Sequence, residues 1–439
     1  MKLILLTHPA SLGSASMPRF AGMIQHGMQE RGHGVAVWTS RSSLARLPIP
    51  SGFVRKWLTY ADQYLLYPRQ LVRQVAQQPA DALFVVTDQA LGIWVPHLAH
   101  RPHVIHCHDF LALKSALGEF AENRPGWTGR QYQHLIRNGF SRGQAFISVS
   151  EKTREDLIRF LPHPPKISEV VYNGLNHPFR PLQPDVGKAL LQQAGGRVSE
   201  PGFIVHIGGN QWYKNRPGVV AIYRAYATRH PHPPALWLIG AEPTPELRRL
   251  VATVPHPGRV HFLTEFNNEQ VNAAYSQAQA LLFPSLEEGF GWPIAEAMAA
   301  GCPVITTGIA PMTEVGGPAV RLIPRQPSDA AGQVAWAQSS ADLLQQVIRL
   351  DAPNRARLVA AGRLNAARFD TQMALTAYAE IYQRVLTESR QTVVTPAKRP
   401  AGIAGVAPSG LSFQAPSQTG SALRRQQESG AARTVSRGR

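Results

Sequence analysis

Acidic residues and cysteines are scarce in this chain, and no long apolar run interrupts it. Of 439 residues only 28 are Asp or Glu, against 45 Lys or Arg, which gives a formal net charge of +17. That excess points to an anionic partner: a nucleic acid, an anionic membrane surface or a diphosphate. The only two cysteines, Cys107 and Cys302, sit at separate predicted strand edges. They exclude a disulfide framework, so a reducing cytosol is expected. The apolar run at the start, Leu3 to Leu6, is too short for a signal peptide and reads as a first strand. No run reaches the roughly 18 apolar residues of a membrane span. What is present is 44% hydrophobic residues, enough for sizeable cores, in a length that suits two domains and a tail.

The most informative stretch runs from Ala280 to Gly317. Residues 280–284 are a short apolar run of buried-strand length. Glu287, Glu288, Gly289, Phe290 and Gly291 follow as a loop with two carboxylates and two glycines. Pro293 suits the first turn of a helix, which runs through Glu296 to Ala300 and stops at Gly301. Cys302 to Thr307 reads as the next strand. This is a strand–loop–helix–strand unit of a parallel sheet, with its loop at the ligand-binding carboxyl edge. Glu288 on the loop and Glu296 in the first helical turn can face one crevice and accept hydrogen bonds from vicinal hydroxyls. Gly289 and Gly291 allow a close backbone approach to a ligand. The helix N-terminus offers free N–H groups to an anion. Hydroxyls plus an anion describe a nucleotide sugar; the same residues also fit a solvated acidic loop that caps an ordinary helix.

The run E-G-F-G-W-P-I-A-E-A-M-A-A-G-C-P-V-I resembles the E-x7-E signature of family 4 glycosyltransferases, with Glu288 and Glu296 as its two glutamates. The later P-M-T-E-V-G-G resembles the P-E-V-x-G that follows it in that family. The resemblance implies the α/β GT-B fold: two Rossmann-like doubly wound domains across a cleft, with a C-terminal helix returning to the first. It also implies retaining sugar transfer from a nucleotide sugar such as a GDP- or UDP-sugar, with no metal and no other cofactor. In that frame Glu296 holds the ribose hydroxyls, while Glu288 and the backbone of Gly289, Phe290 and Gly291 orient the donor sugar.

Other segments extend the likeness. Lys2 to Thr7 and Gly34 to Thr39 read as strands around a helix with apolar Phe20, Met23, Ile24 and Met28. The loop between, S-L-G-S-A-S-M-P-R-F, resembles the family's first loop and makes Gly13 a candidate phosphate neighbour; a plain turn fits it equally. H-C-H-D-F, which begins in the last two residues of the strand His103 to Cys107, resembles the family's histidine segment; that resemblance places His108 near the donor sugar and leaving phosphate. Asp109 either orients the imidazole or caps the next segment. Ser150 is the expected N-cap of helix 151–160, in a stretch resembling the family's V-S-x-x-T. V-V-Y-N-G-L-N resembles the family's crossing into the second domain.

That domain opens with the strand Phe203 to Ile207 and then G-G-N-Q-W-Y-K-N-R. Glycines, a lysine and a following helix N-terminus favour a phosphate site. Lys214 matches the family lysine on the donor diphosphate. The family arginine is absent, its usual positions being Gly209 and Tyr213; Asn210 and Arg216 are the candidates to replace it. Strands continue at Leu236 to Ile239 and Val260 to Leu263, and residues 341–349 and 353–368 read as helices.

The expected organisation is 1–177 for the acceptor-side domain, 178–370 for the donor domain, 371–389 for the returning helix and 390–439 for a disordered tail. That tail holds eight basic residues and one acidic, leaving +10 for the rest of the chain. It can adhere to anionic lipid or nucleic acid, or be inert. Phe53, Trp57, Tyr60, Tyr64 and Tyr67 form an aromatic stripe with Arg55, Lys56, Arg69 and Arg73 off it. Such a helix lies either on an anionic membrane surface or against the core with its basic face in water. The expected function is hexosyl transfer to a saccharide or lipid-linked acceptor in bacterial surface polysaccharide synthesis. The alternatives are a non-catalytic sugar-nucleotide-binding scaffold and a GT-B epimerase. No nucleic-acid partner is expected, because no recognition motif is present.

Overall fold

Short apolar runs at regular spacing, separated by amphipathic helices, build two all-parallel sheets. The computed structural model describes residues 1–9, 16–40, 58, 62–195 and 202–394. Gly13, Phe53, Arg55, Lys56, Trp57, Tyr60 and the stretch 395–439 lie outside the described residues.

The first sheet comprises β1 (Lys2–Thr7), β2 (Gly34–Thr39), β3 (Leu83–Val86), β4 (His103–Cys107), β5 (Ala145–Ser148) and β6 (Ile167–Val170) in the order β2-β1-β3-β4-β5-β6. The second comprises β7 (Phe203–Ile207), β8 (Ala235–Ile239), β9 (Val260–Leu263), β10 (Leu281–Phe283), β11 (Val304–Thr307) and β12 (Arg321–Ile323) in the order β12-β11-β10-β7-β8-β9. Every pairing is parallel. The central strands are fully buried, so they read as continuous apolar runs rather than alternating ones. In each sheet the chain order reverses beside the first strand formed, at β1/β3 and β10/β7, which opens a crevice at the carboxyl edge.

The helix Thr371–Val394 returns to the first sheet. Its Leu375, Tyr378 and Tyr382 pack with Phe20, Ile24 and Met28 of the helix Ser16–Glu30 and with Leu3 and Leu5 of β1. The Tyr382 hydroxyl lies 2.7 Å from His106 Nε2, a polar pair inside this apolar cluster.

One expectation changes, and one of two alternatives is decided for the described residues. The helix expected over 341–349 spans Ala330–Ile348, because Asp329 caps its start by accepting from the Gly332 N–H at 2.7 Å. Small residues ahead of Leu344 had hidden its apolar face; Trp336, Ala337 and Ala341 are buried there. In the described part of the aromatic stripe, Tyr67 is buried against Trp94 at 4.6 Å between ring centroids, with Leu71 and Val75 beside it. Arg69 and Arg73 face outward. The aromatic face of this helix, Tyr67–Ala76, therefore faces the core.

Candidate active site

The carboxyl edges of the two sheets share a cleft of 740 Å³. His108 and Asp109 line it from the first half, and Tyr213, Lys214, Trp292 and Glu296 from the second.

Lys214 reaches the cleft because the chain turns sharply after β7. The short 3-10 turn Trp212–Lys214 ends at Asn215, which adopts a left-handed conformation with φ +51. Asparagine tolerates that region. Its side chain accepts from the Gly218 N–H at 3.1 Å, starting the helix Arg216–Ala227, and donates to the Pro284 carbonyl at 2.9 Å. The lysine loop is thus tied to the loop after β10. Lys214 Nζ lies 2.8 and 3.0 Å from the two Glu288 carboxylate oxygens and over the Phe283 ring at 5.2 Å. Glu288 is 8% exposed and Lys214 faces the cleft, so this is a part-buried, charge-assisted pair.

Glu296 lines the cleft from the helix Trp292–Ala299, as its fifth residue rather than in its first turn. The Tyr275 hydroxyl donates to it at 2.9 Å. Burial pushes its carboxyl up to about 7 from 4.5, against the pull of Tyr275, Arg19 and Lys214. The folded chain therefore holds this proton more tightly than the unfolded chain, and this group's contribution to stability falls as pH rises from about 4.5 to about 7. Only the carboxylate accepts freely from ribose hydroxyls. Nucleotide affinity should therefore rise with pH through about 7, and titration calorimetry should find that rise flattened in Glu296→Gln. Asp109, which burial raises to about 6, titrates in the same range; its ionisation adds negative charge beside the phosphates and should leave a small fall in affinity in that variant.

His108 is fixed on all sides. Gln89 grips its peptide: the side-chain oxygen accepts from the His108 N–H at 2.8 Å and the amide donates to the Asp109 carbonyl. Ring Nε2 donates to the Thr87 carbonyl at 2.9 Å, and Phe20 meets the ring edge-on at 4.5 Å. Burial holds the imidazole below its ordinary value, against the pull of Asp88. The ring is thus neutral at pH 7 with its proton on Nε2, and Nδ1 is an acceptor. Asp109 caps the helix Leu111–Ala116 through the Leu111 N–H at 3.0 Å and does not orient the ring.

The loop residues take roles the sequence had not indicated. A Cβ on Gly289 would lie 2.8 Å from Asp109 Cβ and closer still to the His108 carbonyl oxygen. Gly289 is bare so that the two halves can meet; the approach it permits is to protein backbone. Its carbonyl accepts from the hydroxyls of Ser150 at 2.7 Å and Thr153 at 3.2 Å. Ser150 also caps the helix Glu151–Phe160, as expected. Glu314 adds to this junction by accepting from the Glu151 N–H at 2.7 Å. Phe290 is buried against Phe369 and Trp292 and does not line the cleft. Gly291 takes φ +95 to start the helix that carries Glu296.

Asn210 and Arg216 are turned elsewhere. Arg216 Nη1 donates to Asn210 Oδ1 at 2.6 Å and to the Ala241 carbonyl at 2.9 Å, and Asn210 donates to the Glu242 carbonyl at 2.6 Å. Neither lines the cleft. The sequence reading missed Gln89 and Arg19. The polar triplet Thr87-Asp88-Gln89 directly after a buried strand was the available signal for Gln89. Among the described residues, no group of three or more His, Cys, Asp or Glu side chains is placed to hold a metal ion.

Comparison with known proteins decides the family. Residues 18–178 match the model of Glycosyltransferase Family 4, and residues 203–350 match that of Glycosyl transferases group 1. The chain belongs to the family 4 glycosyltransferases. This glycosyltransferase is 24% identical over 230 residues to the O-antigen chain mannosyltransferase B of Escherichia coli, covering 52% of its own length and 58% of that relative's. It is 27% identical over 319 residues to a glycogen synthase of Mycobacterium tuberculosis, covering 66% of its own length and 71% of that enzyme's. Its fold matches Anabaena HepE, solved in complex with UDP and glucose, at a TM-score of 0.65 and 18% identity over 88% of this chain and 100% of that one. Sucrose-phosphate synthase from Thermosynechococcus elongatus matches at 0.68 and 18% identity, over 88% and 100%. These likenesses show that the glycosyltransferase has the GT-B fold.

Proposed function

We propose that this glycosyltransferase moves a hexosyl unit from a nucleotide sugar, with retention of configuration, to a saccharide or lipid-linked acceptor in bacterial surface polysaccharide synthesis. One observation carries the reading: Lys214 and Glu296 of the second half meet His108 of the first across a single cleft, with Glu288 behind the wall holding Lys214. The names of relatives support it, one an O-antigen chain mannosyltransferase and one solved with UDP and glucose.

In this proposal Glu296 accepts from the ribose hydroxyls, and Lys214 stabilises charge on the leaving diphosphate, aided by the helix N-terminus at Trp292. His108 Nδ1 accepts from a donor-sugar hydroxyl. The carboxylates on the cleft wall are engaged already, Glu296 by Tyr275, Asp109 by the Leu111 N–H and Asp88 by His8 at 3.0 Å, as is Glu288 behind the wall by Lys214. That favours a front-face displacement over a covalent intermediate. The acceptor oxygen bonds to the anomeric carbon as the bond to the diphosphate breaks, and the acceptor proton passes to the leaving phosphate oxygen. Free, buried Cys107 and Cys302 are consistent with work in a reducing cytosol. Arg69 and Arg73 give an anionic membrane surface something to meet. Among the described residues no helix is long and apolar enough to cross a membrane.

The test is product analysis. Incubation with a panel of GDP-, UDP- and ADP-hexoses and extracted bacterial lipid-linked saccharides should give a glycosylated product whose anomeric configuration, read by NMR, matches the donor's. An inverted product, or an epimerised donor with no transfer, overturns the reading. Gly209 and Tyr213, standing where the family carries an arginine, favour a second reading: a scaffold that binds donor without transferring it.

A further inference from the structure

A nucleotide sugar's diphosphate is dianionic, yet the cleft wall is rich in carboxyl groups: Asp88, Asp109 and Glu296, with Glu288 just behind. Among the described residues, Lys214 is the second half's only lysine or arginine on that wall, and Glu288 already holds it. Arg216 is bound to Asn210 and the Ala241 carbonyl, away from the cleft. Among the described residues the first half carries one guanidinium on the wall, Arg19. It stands near the start of the helix Ser16–Glu30, whose first turn has no acidic residue, one position before the Phe20 ring that packs on His108. Among the described residues its guanidinium has no hydrogen-bonding partner, and its charge acts on the Glu296 carboxylate. Arg19 and Lys214 thus flank Glu296 from opposite walls.

We propose that Arg19, reaching across from the first half, is the second cation on the donor diphosphate and replaces the family arginine missing at Gly209 and Tyr213. The proposal rests on the donor site argued above. It gives the first half a direct hold on the donor: the diphosphate is gripped from both walls, so donor binding itself draws the cleft shut. An arginine suits the task because its planar fork matches phosphate geometry.

The experiment is titration calorimetry of the full chain with GDP, GMP, UDP and UMP at pH 8, above the value of about 7 to which burial pushes the Glu296 carboxyl. Wild type should prefer the diphosphate of one base series. Arg19→Ala should lose roughly tenfold in diphosphate affinity and stay within about twofold for the monophosphate. Arg19→Lys should recover most of the loss. Because Arg19 is exposed, the melting temperature of the unliganded variant should be unchanged. A variant that keeps the wild-type preference for diphosphate over monophosphate overturns the proposal. So does equal weakening of both ligands, which marks a structural role, or loss of the preference in Arg216→Lys instead. Failure of wild type to bind any nucleotide contradicts the donor site itself.

Discussion

Gly289→Ala should abolish transfer while leaving each half folded. The new methyl would lie 2.8 Å from Asp109 Cβ and nearer still to the His108 carbonyl oxygen. The oxygen is backbone, held through a peptide that Gln89 grips from both sides, so it cannot swing aside as a surface side chain would. The loop must withdraw from the first half, and the Gly289 carbonyl then loses the Ser150 and Thr153 hydroxyls. Each such bond contributes about 1 kcal/mol. The larger effect is positional, because Glu288 moves away from His108. A displacement of about 1 Å in a reacting constellation costs on the order of 100-fold. Steady-state kcat/KM should fall by at least that, while calorimetry shows nucleotide still bound, since Lys214 and Glu296 both belong to the second half. Gly22→Ala on the helix Ser16–Glu30, where an added Cβ meets nothing within 4 Å, should behave as wild type. Full activity in Gly289→Ala would mean that this junction has no part in catalysis.

Lys214→Ala should lower kcat on the order of 10²- to 10³-fold, the usual loss when one preorganised donor to a developing anion is removed. It should also destabilise the chain, because it leaves the Glu288 carboxylate buried beside Asp109 with its countercharge gone. Breaking a fully buried pair costs about 3–5 kcal/mol, and this part-buried one should cost less. The two effects separate in the double variant Lys214→Met, Glu288→Gln, where the pair is replaced by neutral groups of similar size. Thermal unfolding should return towards wild type, and transfer should stay lost. Recovery of transfer along with stability would make the pair structural only.

These two predictions rest on residues of unequal legibility. The unit from Leu281 to Gly301 was readable because each physical signal agreed: a buried strand, two glycines, a proline at the helix start and a glycine at its end. Lys214 was readable for similar reasons, from a strand, two glycines and a following helix. Ser150 was readable as a cap, since a serine ahead of an amphipathic run satisfies free N–H groups. That the same hydroxyl holds Gly289, 139 positions away, follows from how the halves meet, and local sequence carries no trace of it.

Arg19 was invisible for a related reason: an arginine off the apolar stripe of a helix looks like any solvated charge. Arg216 misled because chain proximity to Lys214 suggested a shared target. The helix Arg216–Ala227 points its first residue towards the 240–242 turn instead. The long helix Ala330–Ile348 was under-read because alanine and serine can line a buried face without registering as hydrophobic period.

The measurement that tests the central claim most directly is a thermal-shift series with GDP, UDP, ADP and their hexose conjugates, on wild type and Glu296→Ala, without metal and then with magnesium. A ligand that binds only the folded state must raise its stability by mass action. The account predicts that one base series raises the melting temperature of wild type, that magnesium adds nothing, and that the shift is lost in Glu296→Ala. A well-folded wild type that no nucleotide shifts, or a shift that survives unchanged in Glu296→Ala, would contradict the donor site described here.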